Sequence, residues 1–509
     1  MFEVRRRVRP QSYLMIFSFV AMVIVMAHGL LLQTPYYWDE AGQFIPAATD
    51  LYHGALISHS ATPNVHPPGV MAWLAIAWRV FGYSILTTRI AMLLLASFGV
   101  LMTFLLAIEL SRGSPGTPAL AAAALLCISP LFVAQSILAQ LDMPAMGLTA
   151  FALLLFLQNR FRAAALVCVA LVLVKETGIV VPIVFAGYLF WERHGAEENG
   201  LGERSDILWF LLPLAPLAMW LIALRYSTGH WLGNSGFTHY NIMSTLNPVR
   251  FLFALVRRLS YLFIGSGHFI GTATVLYAWK RMPLLRDRPW RVAVILATAH
   301  VFTVSLFGGA VLERYLLPVL PILYSAFAIA SRALLVRERR LAMGGLAACL
   351  IMANFLNPPY PFPFENNLMF VTFTDIQHDA AFAADTYNGE VVTTFPMTTA
   401  LAQPNNGYLM LPHPVREVPD FRPETMAGLK KNPPSVMLVY NTEIDPWQIR
   451  QTKAFQWFFG RYFHYERQMT ALELSDMFQM RIARTWEGRG FSMSLLVNDE
   501  MNGPALFRR

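Results

Sequence analysis

Arg5-Arg6-Arg7-Val8-Arg9, then YLMIFSFVAMVIVMAHGLLL from Tyr13 to Leu32, then Tyr36-Tyr37-Trp38-Asp39-Glu40 is the stretch that decides the fold. A helix of ~20 apolar residues crosses the ~30 Å hydrocarbon core of a bilayer, so Tyr13–Leu32 is long enough to span. Basic flanks stay on the cytoplasmic side. The N-terminus is therefore expected in the cytoplasm, and the paired acids on the outer face. The run is too long for a secretory signal and lacks a small-residue cleavage site.

Working outward, the same grammar recurs. Further apolar runs lie near 87–110, 119–139, 143–158, 163–174, 178–191, 206–225, 255–279, 291–311, 315–335 and 341–356, giving about eleven spans. Predicted cytoplasmic turns carry Arg112; Arg160 and Arg162; Arg193 and Arg204; Lys280, Arg281, Arg286, Arg288 and Arg291; then Arg337, Arg339 and Arg340. Predicted outer turns are poorer in basic residues, as the positive-inside rule requires. The runs on either side of Lys175 are too short to cross as straight helices, so a broken or shallow hairpin is expected there. His66-Pro67-Pro68 through Phe81 is short and interrupted by Arg79. It reads as an interfacial helix anchored by Trp73 and Trp78.

Composition agrees. Of 509 residues, 56% are hydrophobic and 14% charged, against ~45–50% and ~25% in soluble proteins. That excludes an ordinary cytosolic enzyme and a disordered chain. The net charge of +8 is read as membrane topology, not as a nucleic-acid signal. Cys127, Cys168 and Cys349 all lie in apolar runs, so no disulfide framework is expected.

From residue 357 the character changes. Asn357-Pro358-Pro359-Tyr360-Pro361-Phe362-Pro363 reads as a stiff linker. Strand-like runs follow at Glu390–Phe395, Val436–Tyr440 and Phe491–Val497, with helix-like patterns at Asp375–Ala384 and Asp445–Tyr462. The expectation is a polytopic α-helical membrane domain over 1–356, whose first outer loop is 33–86. A small extracytoplasmic α/β domain follows over 357–509.

Ionisable residues beside spans mark candidate chemistry. Asp39 and Glu40 suit general-base work or a metal; a solvated helix N-terminus is the plainer alternative. His66, before the proline pair, sits at headgroup height and can donate to a phosphate; the alternative is a surface histidine. His53 and His59 share its loop without a tight metal spacing. Asp142, in Gln140-Leu141-Asp142-Met143-Pro144, also suits a helix start. Lys175 and Glu176 interrupt an apolar hairpin, where Lys175 meets an anionic headgroup or pairs with Glu176. Arg314, in Leu312-Glu313-Arg314-Tyr315, breaks the positive-inside trend and so asks for an anionic partner, with Tyr315 beside it. Arg257 and Arg258 are weaker candidates of the same sort. His268 and His300 lie within spans and read as hydrogen-bonded packing residues. Acids and bases gathered at one membrane face suit an enzyme acting on a lipid-linked anionic substrate.

With these pieces in hand, the sequence resembles the GT-C membrane glycosyltransferases, in particular the protein O-mannosyltransferase and lipid A aminoarabinose transferase branch. The matching pieces are Trp38-Asp39-Glu40, His66-Pro67-Pro68 leading into Trp73, Leu141-Asp142-Met143-Pro144, Lys175-Glu176-Thr177-Gly178, and Arg314-Tyr315-Leu316-Leu317-Pro318-Val319-Leu320-Pro321. They stand in the family's order over roughly residues 10–335. The resemblance implies a periplasm-facing site and a polyprenyl-phosphate sugar donor. It implies that Asp39 is the catalytic base, that Glu40 completes an acidic pair, and that Asp142 is the second outer-loop acid. His66 stands where aminoarabinose transferases carry a lysine, a departure at a position tied to the donor phosphate. Lys175 and Arg314 would be further phosphate contacts. Lipid, glycan and protein acceptors are all compatible. No cofactor is certain; a divalent metal on Asp39, Glu40 and Asp142 stays open, since nothing in their spacing demands it. The expected activity is inverting sugar transfer at the outer face of the inner membrane. The alternatives are a transporter or flippase of a lipid-linked or amphipathic solute, and a non-catalytic assembly protein. A transporter would call for midplane charges and internal repeats, and neither is visible.

Overall fold

Backbone in hydrocarbon has no water to bond to, and a helix satisfies its N–H and C=O groups internally. The computed structural model describes residues 10–111, 117–194, 204–282, 287–357, 364–441 and 449–498. Its first compact unit, Met1–Leu32 with Ala47–Asn354, is helical. The helices are α1 (Pro10–Ala27), α2 (Ile45–Tyr52), α3 (Gly69–Phe81), α4 (Ile85–Leu110), α5 (Thr117–Ile128), α6 (Pro130–Ile137), α7 (Asp142–Leu157), α8 (Phe161–Val174) and α9 (Val180–His194). Then follow α10 (Arg204–Trp209), α11 (Leu214–Thr228), α12 (Ser235–Thr238), α13 (Pro248–Phe263), α14 (His268–Ala278), α15 (Arg288–Leu306), α16 (Leu320–Ala330) and α17 (Val336–Ala353).

Among the described residues, five helices are long and apolar enough to cross a membrane: Ile85–Leu110, Asp206–Thr228, Pro248–Ala278, Arg288–Leu306 and Glu313–Ala333. The first and last are central, with 67% and 83% of their apolar windows buried, against 22% for Asp206–Thr228. The run near 119–139 is not one straight helix. It bends by 65° between α5 and α6, where Pro130 lacks the N–H that a continuous helix needs. α1, α3, α7 and α8 are apolar but shorter.

Close helix crossing sets the core. A Cβ on Gly147 in α7 would stand 3.2 Å from Gly99 Cα in α4 and 2.9 Å from the Phe98 ring. Two glycines face each other there, so the two backbones meet without side chains between them. α3 differs from its expectation in one respect. Trp78 is no exposed anchor but 1% exposed, because its indole N–H donates to Thr88 Oγ1 of α4 at 2.9 Å and its ring meets Tyr83 and Tyr52. Trp73 is 36% exposed, its indole donating to Ala91 O.

The second unit joins Gln33–Pro46 to Phe355–Arg509. It holds α18 (Met369–Ala384), β1 (Val391–Thr393), α19 (Met397–Ala402), β2 (Val415–Glu417), α20 (Pro423–Leu429), β3 (Val436–Tyr440), α21 (Lys453–Phe463), α22 (Ala471–Phe478), β4 (Arg481–Gly488) and β5 (Phe491–Val497). The sheet order is β2-β1-β3-β5-β4. β1 runs parallel to β2 and β3; β5 runs antiparallel to β3 and β4. Buried Phe370 and Phe373 of α18 form much of its core, with Phe373 4.8 Å from Phe491 of β5 between ring centroids. The arginines from Arg5 to Arg9, Arg112, Arg286, Pro358 to Pro363 and the start of the Asp445–Tyr462 helix lie outside the described residues.

Candidate active site

In the membrane unit the site grows from three backbone breaks. The first precedes α7. Leu138 leaves helical geometry after α6, and Arg89, fully buried in α4, holds this turn by donating Nη1 to Ile137 O at 2.9 Å. α7 then begins at Asp142, an acid in a first helical turn. The second break is Lys175, whose extended backbone (φ −150, ψ 127) separates α8 from a single 3-10 turn at Glu176–Ile179. The third is the Glu313–Val319 3-10 segment before α16.

These breaks bring Asp142, Lys175, Arg314 and Tyr315 together. Lys175 Nζ donates to Asp142 Oδ1. Arg314 Nη1 donates to Gln140 Oε1 at 2.5 Å, and its Nε stands 3.4 Å from Asp142 Oδ2. The Tyr315 ring lies between cations: Lys175 Nζ is 4.2 Å from its centroid, Arg314 Cζ 5.6 Å and Arg258 Cζ 5.9 Å. His300 Nε2 donates to Tyr315 O at 2.8 Å. Arg257 Nε donates to Glu313 Oε1 at 2.9 Å. Arg258 is fully buried. Its Nη2 reaches Ala310 O at 3.4 Å, while its Nε and Nη1 meet no acceptor among the described residues.

Four basic side chains, Lys175, Arg257, Arg258 and Arg314, thus face two carboxylates, Asp142 and Glu313. A buried guanidinium with unused donors is costly, and a charge excess in a low-dielectric site is relieved by an anion. The arrangement is suited to binding a phosphate. It is not suited to a divalent cation, because Asp142 already meets two cations. Among the described residues no group of three or more His, Cys, Asp and Glu is placed to hold a metal.

His66 and Glu176 pair with each other. His66 Nδ1 lies 2.9 Å from Glu176 Oε2, so Glu176 takes His66 as its partner while Lys175 turns to Asp142. The loop carrying His66 is clamped. Trp220 Nε1 donates to Val65 O at 2.8 Å and Asn234 Nδ2 to Pro63 O at 2.7 Å. A Cβ on Gly233 would stand 2.5 Å from Pro63 O, and one on Gly69 2.4 Å from Leu173 O. The second of these close approaches seats the start of α3 on the end of α8, beside Glu176. Earlier in the same loop, the Asp50 carboxylate accepts from Ser58 Oγ, His59 N, Ser60 N and Ser60 Oγ, each at 2.7 Å. Burial opposes its ionisation, but these hydrogen bonds outweigh it and hold its pKa below the ordinary 3.8.

Asp39 and Glu40 belong to the second unit. Tyr36 and Tyr37 are buried. Tyr36 N donates to Asn406 O at 2.9 Å, and Tyr408 OH donates to Tyr36 O at 3.0 Å. Trp38 packs against Phe364, Phe373 and Phe395, and holds a left-handed φ of 43. Such a backbone is uncommon for a bulky residue and persists where packing imposes it. The turn it makes leads into a π-helical turn, Glu40–Phe44. Glu40 is fully buried and accepts Tyr37 N at 2.9 Å, which makes it a turn-closing residue. Asp39, just before the turn, is half-buried. His300 is the hydrogen-bonded packing residue expected from its place in a span, whereas Gln140 has no expected role. Gln140 stood two residues from Asp142 as a polar residue within an apolar run, a signal that was present.

No protein-family model matches the chain, and no curated protein matches it. Solved structures do. ArnT from Cupriavidus metallidurans bound to undecaprenyl phosphate is 16% identical, with 96% of this chain and 98% of that chain covered and a TM-score of 0.56. The same protein in its apo state is 15% identical, with 97% and 99% covered and a TM-score of 0.54. An Archaeoglobus fulgidus oligosaccharyltransferase in complex with Zn and sulfate is 16% identical over 72% of this chain and 55% of that chain, with a TM-score of 0.44. The chain has an ArnT-like fold over nearly its full length.

Proposed function

We propose that this chain is a membrane glycosyltransferase that moves a sugar from a polyprenyl-phosphate donor to an acceptor at the periplasmic face of the inner membrane. The observation that carries the reading is the buried excess of basic side chains at Lys175, Arg258 and Arg314, with two guanidinium nitrogens of Arg258 meeting no acceptor among the described residues. A phosphate is the anion of matching chemistry. Its site in a unit of apolar helices favours one carried on a hydrocarbon tail. The shared fold, solved once with undecaprenyl phosphate bound, supports the same class of donor.

In the reaction an acceptor oxygen or nitrogen attacks C1 of the sugar. The bond from C1 to the phosphate oxygen breaks, its electron pair leaves on the phosphate, and a single displacement inverts C1. Asp39 takes the acceptor's proton. Lys175, Arg258 and Arg314 stabilise the charge on the departing phosphate. Asp142 orients Lys175 and Arg314, and the His66–Glu176 pair fixes the turn carrying Lys175. Glu40 closes the turn behind Asp39. The arginine distribution supports about eleven spans, with the N-terminus in the cytoplasm and the 357–509 domain outside.

The test is Asp39→Asn in membranes given labelled polyprenyl-phosphate sugar. Transfer is expected to collapse while expression and donor binding persist. Undiminished transfer would remove Asp39 as the base. Solute uptake by proteoliposomes without any glycosylated product would replace the enzyme with a transporter.

A further inference from the structure

α19 ends at Ala402, and a loop leads from it to β2. In that loop Leu409 turns inward, while Met410 and Leu411 stand 93% and 73% exposed and Pro412 is exposed after them. Three exposed apolar residues in a row are out of place on a surface that meets only water. The tip is held firmly from both sides. Tyr408 and His413, which flank it, are buried. Tyr408 OH donates to Tyr36 O at 3.0 Å, and His413 N donates to Leu401 O at 2.9 Å. His413 Nδ1 lies 2.9 Å from Asp385 Oδ1. The fold thus presents 410–412 outward between two anchored residues.

Chain continuity identifies what covers the tip. Tyr36 accepts from Tyr408 OH and donates its N–H to Asn406 O at 2.9 Å, so it is bonded to this loop twice. It also follows Leu32, the end of the first apolar run, by only four residues. Four residues reach ~14 Å at most. Met15, Phe19, Met22 and Met26 of α1 are exposed at helical spacing, and exposed Leu30 follows them. In a membrane protein such a stripe faces lipid. The loop is therefore tethered within reach of the bilayer that covers α1. Its composition fits. Residues 33–38 and 391–415 include no Asp, Glu, Lys or Arg, so bringing this surface to lipid strips water from no charged side chain of theirs. We propose that Met410, Leu411 and Pro412 insert at the headgroup–acyl boundary of the bilayer. The unit that carries Asp39 then has a membrane contact besides its covalent tether. With no Lys or Arg in the loop, that contact is hydrophobic and needs no anionic lipid.

The test uses the full chain in phosphatidylcholine nanodiscs. Leu411→Cys carries an environment-sensitive fluorophore, with Cys127, Cys168 and Cys349 replaced by alanine. The expected result is blue-shifted emission that is quenched by lipids spin-labelled near the headgroup and unchanged when phosphatidylglycerol is added. Water-like emission without quenching would overturn the proposal. A blue shift seen only with phosphatidylglycerol present would overturn the hydrophobic contact. Blue-shifted emission that spin-labelled lipids leave untouched would overturn it too: the occupant would be a second copy if the shift were lost in nanodiscs holding one chain, and another surface of the same chain if it persisted. The native cysteines are kept in an independent reading, oxidation of the Met410 thioether by water-soluble chloramine-T, followed by mass spectrometry. Met410 of the unaltered chain is expected to oxidise several-fold more slowly than Met410 of Leu411→Asp, whose added carboxylate keeps the tip in water. Equal rates would count against the lipid contact.

Discussion

His66 and Glu176, 110 residues apart in sequence, meet at 2.9 Å beside the backbone break that presents Lys175. The histidine thus holds a carboxylate. Under the proposed function it acts on the donor through the turn it fixes. Replacing His66 by alanine is expected to raise the donor KM by about tenfold, the worth of ~1.5 kcal/mol of charge-assisted hydrogen bonding, with little change in kcat. His66→Gln, which can still donate to Glu176, should recover most of that loss. Initial-rate kinetics with labelled donor separate the two parameters. A fall in kcat at unchanged KM for both variants would instead put His66 on the reacting groups.

Arg258 offers a test with opposite signs. Removing a buried charge two of whose nitrogens meet no acceptor among the described residues stabilises the lipid-free protein, and Arg258→Met is expected to raise Tm by an amount corresponding to roughly 1 kcal/mol or more. The same change should weaken polyprenyl-phosphate binding about thirtyfold, the loss of ~2 kcal/mol. Thermal unfolding with and without polyprenyl phosphate measures both. A variant destabilised in the absence of lipid would show that the contacts of Arg258 with Ala310 O and Tyr315 outweigh the cost of the buried charge.

Asp142 neutralises two cations. Asp142→Asn leaves Lys175 and Arg314 without their carboxylate, and a destabilisation of ~3 kcal/mol is expected. The double variant Asp142→Asn with Lys175→Met should regain much of the stability and none of the transfer. Denaturation and activity measured on the same preparations make that comparison.

Asp50 makes the segment from 50 to 61 sensitive to acid. Its folded pKa is depressed below 3.8, so the unfolded loop binds more protons in that range. The stabilisation is complete above the ordinary value and is lost as pH falls through the folded one. Hydrogen exchange across 50–61 is expected to be slow at neutral pH and to accelerate, after correction for intrinsic rates, as the pH falls below 3.8. Asp50→Asn should exchange fast throughout. A pH-independent wild type would refute the carboxylate's role.

The sequence spoke most clearly where burial was uniform. Val436–Tyr440 and Phe491–Val497 are strands over the residues their apolar runs marked, because a strand covered on its faces has little else in it. β4 escaped because Arg481, Arg484 and Glu487 interrupt it at the edge of the sheet. β2 escaped because Val415–Glu417 is three residues long. Asp142, Lys175 and Arg314 were visible as charges out of place in apolar surroundings. Their pairing was not. Lys175 had Glu176 next to it in sequence, and only the fold shows that chain direction at the break sends the two side chains to different partners. α13 starts at Pro248, earlier than its apolar run, because Arg250, Arg257 and Arg258 break the hydropathy of a helix that buries two of them.

The early segment Gln33–Pro46 is built into a unit whose remaining residues begin at Phe355. During synthesis, Tyr37 and Trp38 emerge long before Phe364, Phe370 and Phe373, the rings they pack against, and Tyr36 long before its partners Asn406 and Tyr408. The second unit therefore cannot finish folding until the whole first unit has been made. Dissection meets the same constraint. A fragment starting at Phe355 lacks three aromatic side chains of its own core and exposes the surfaces that received them, whereas adding residues 33–46 back as a separate peptide supplies the missing piece.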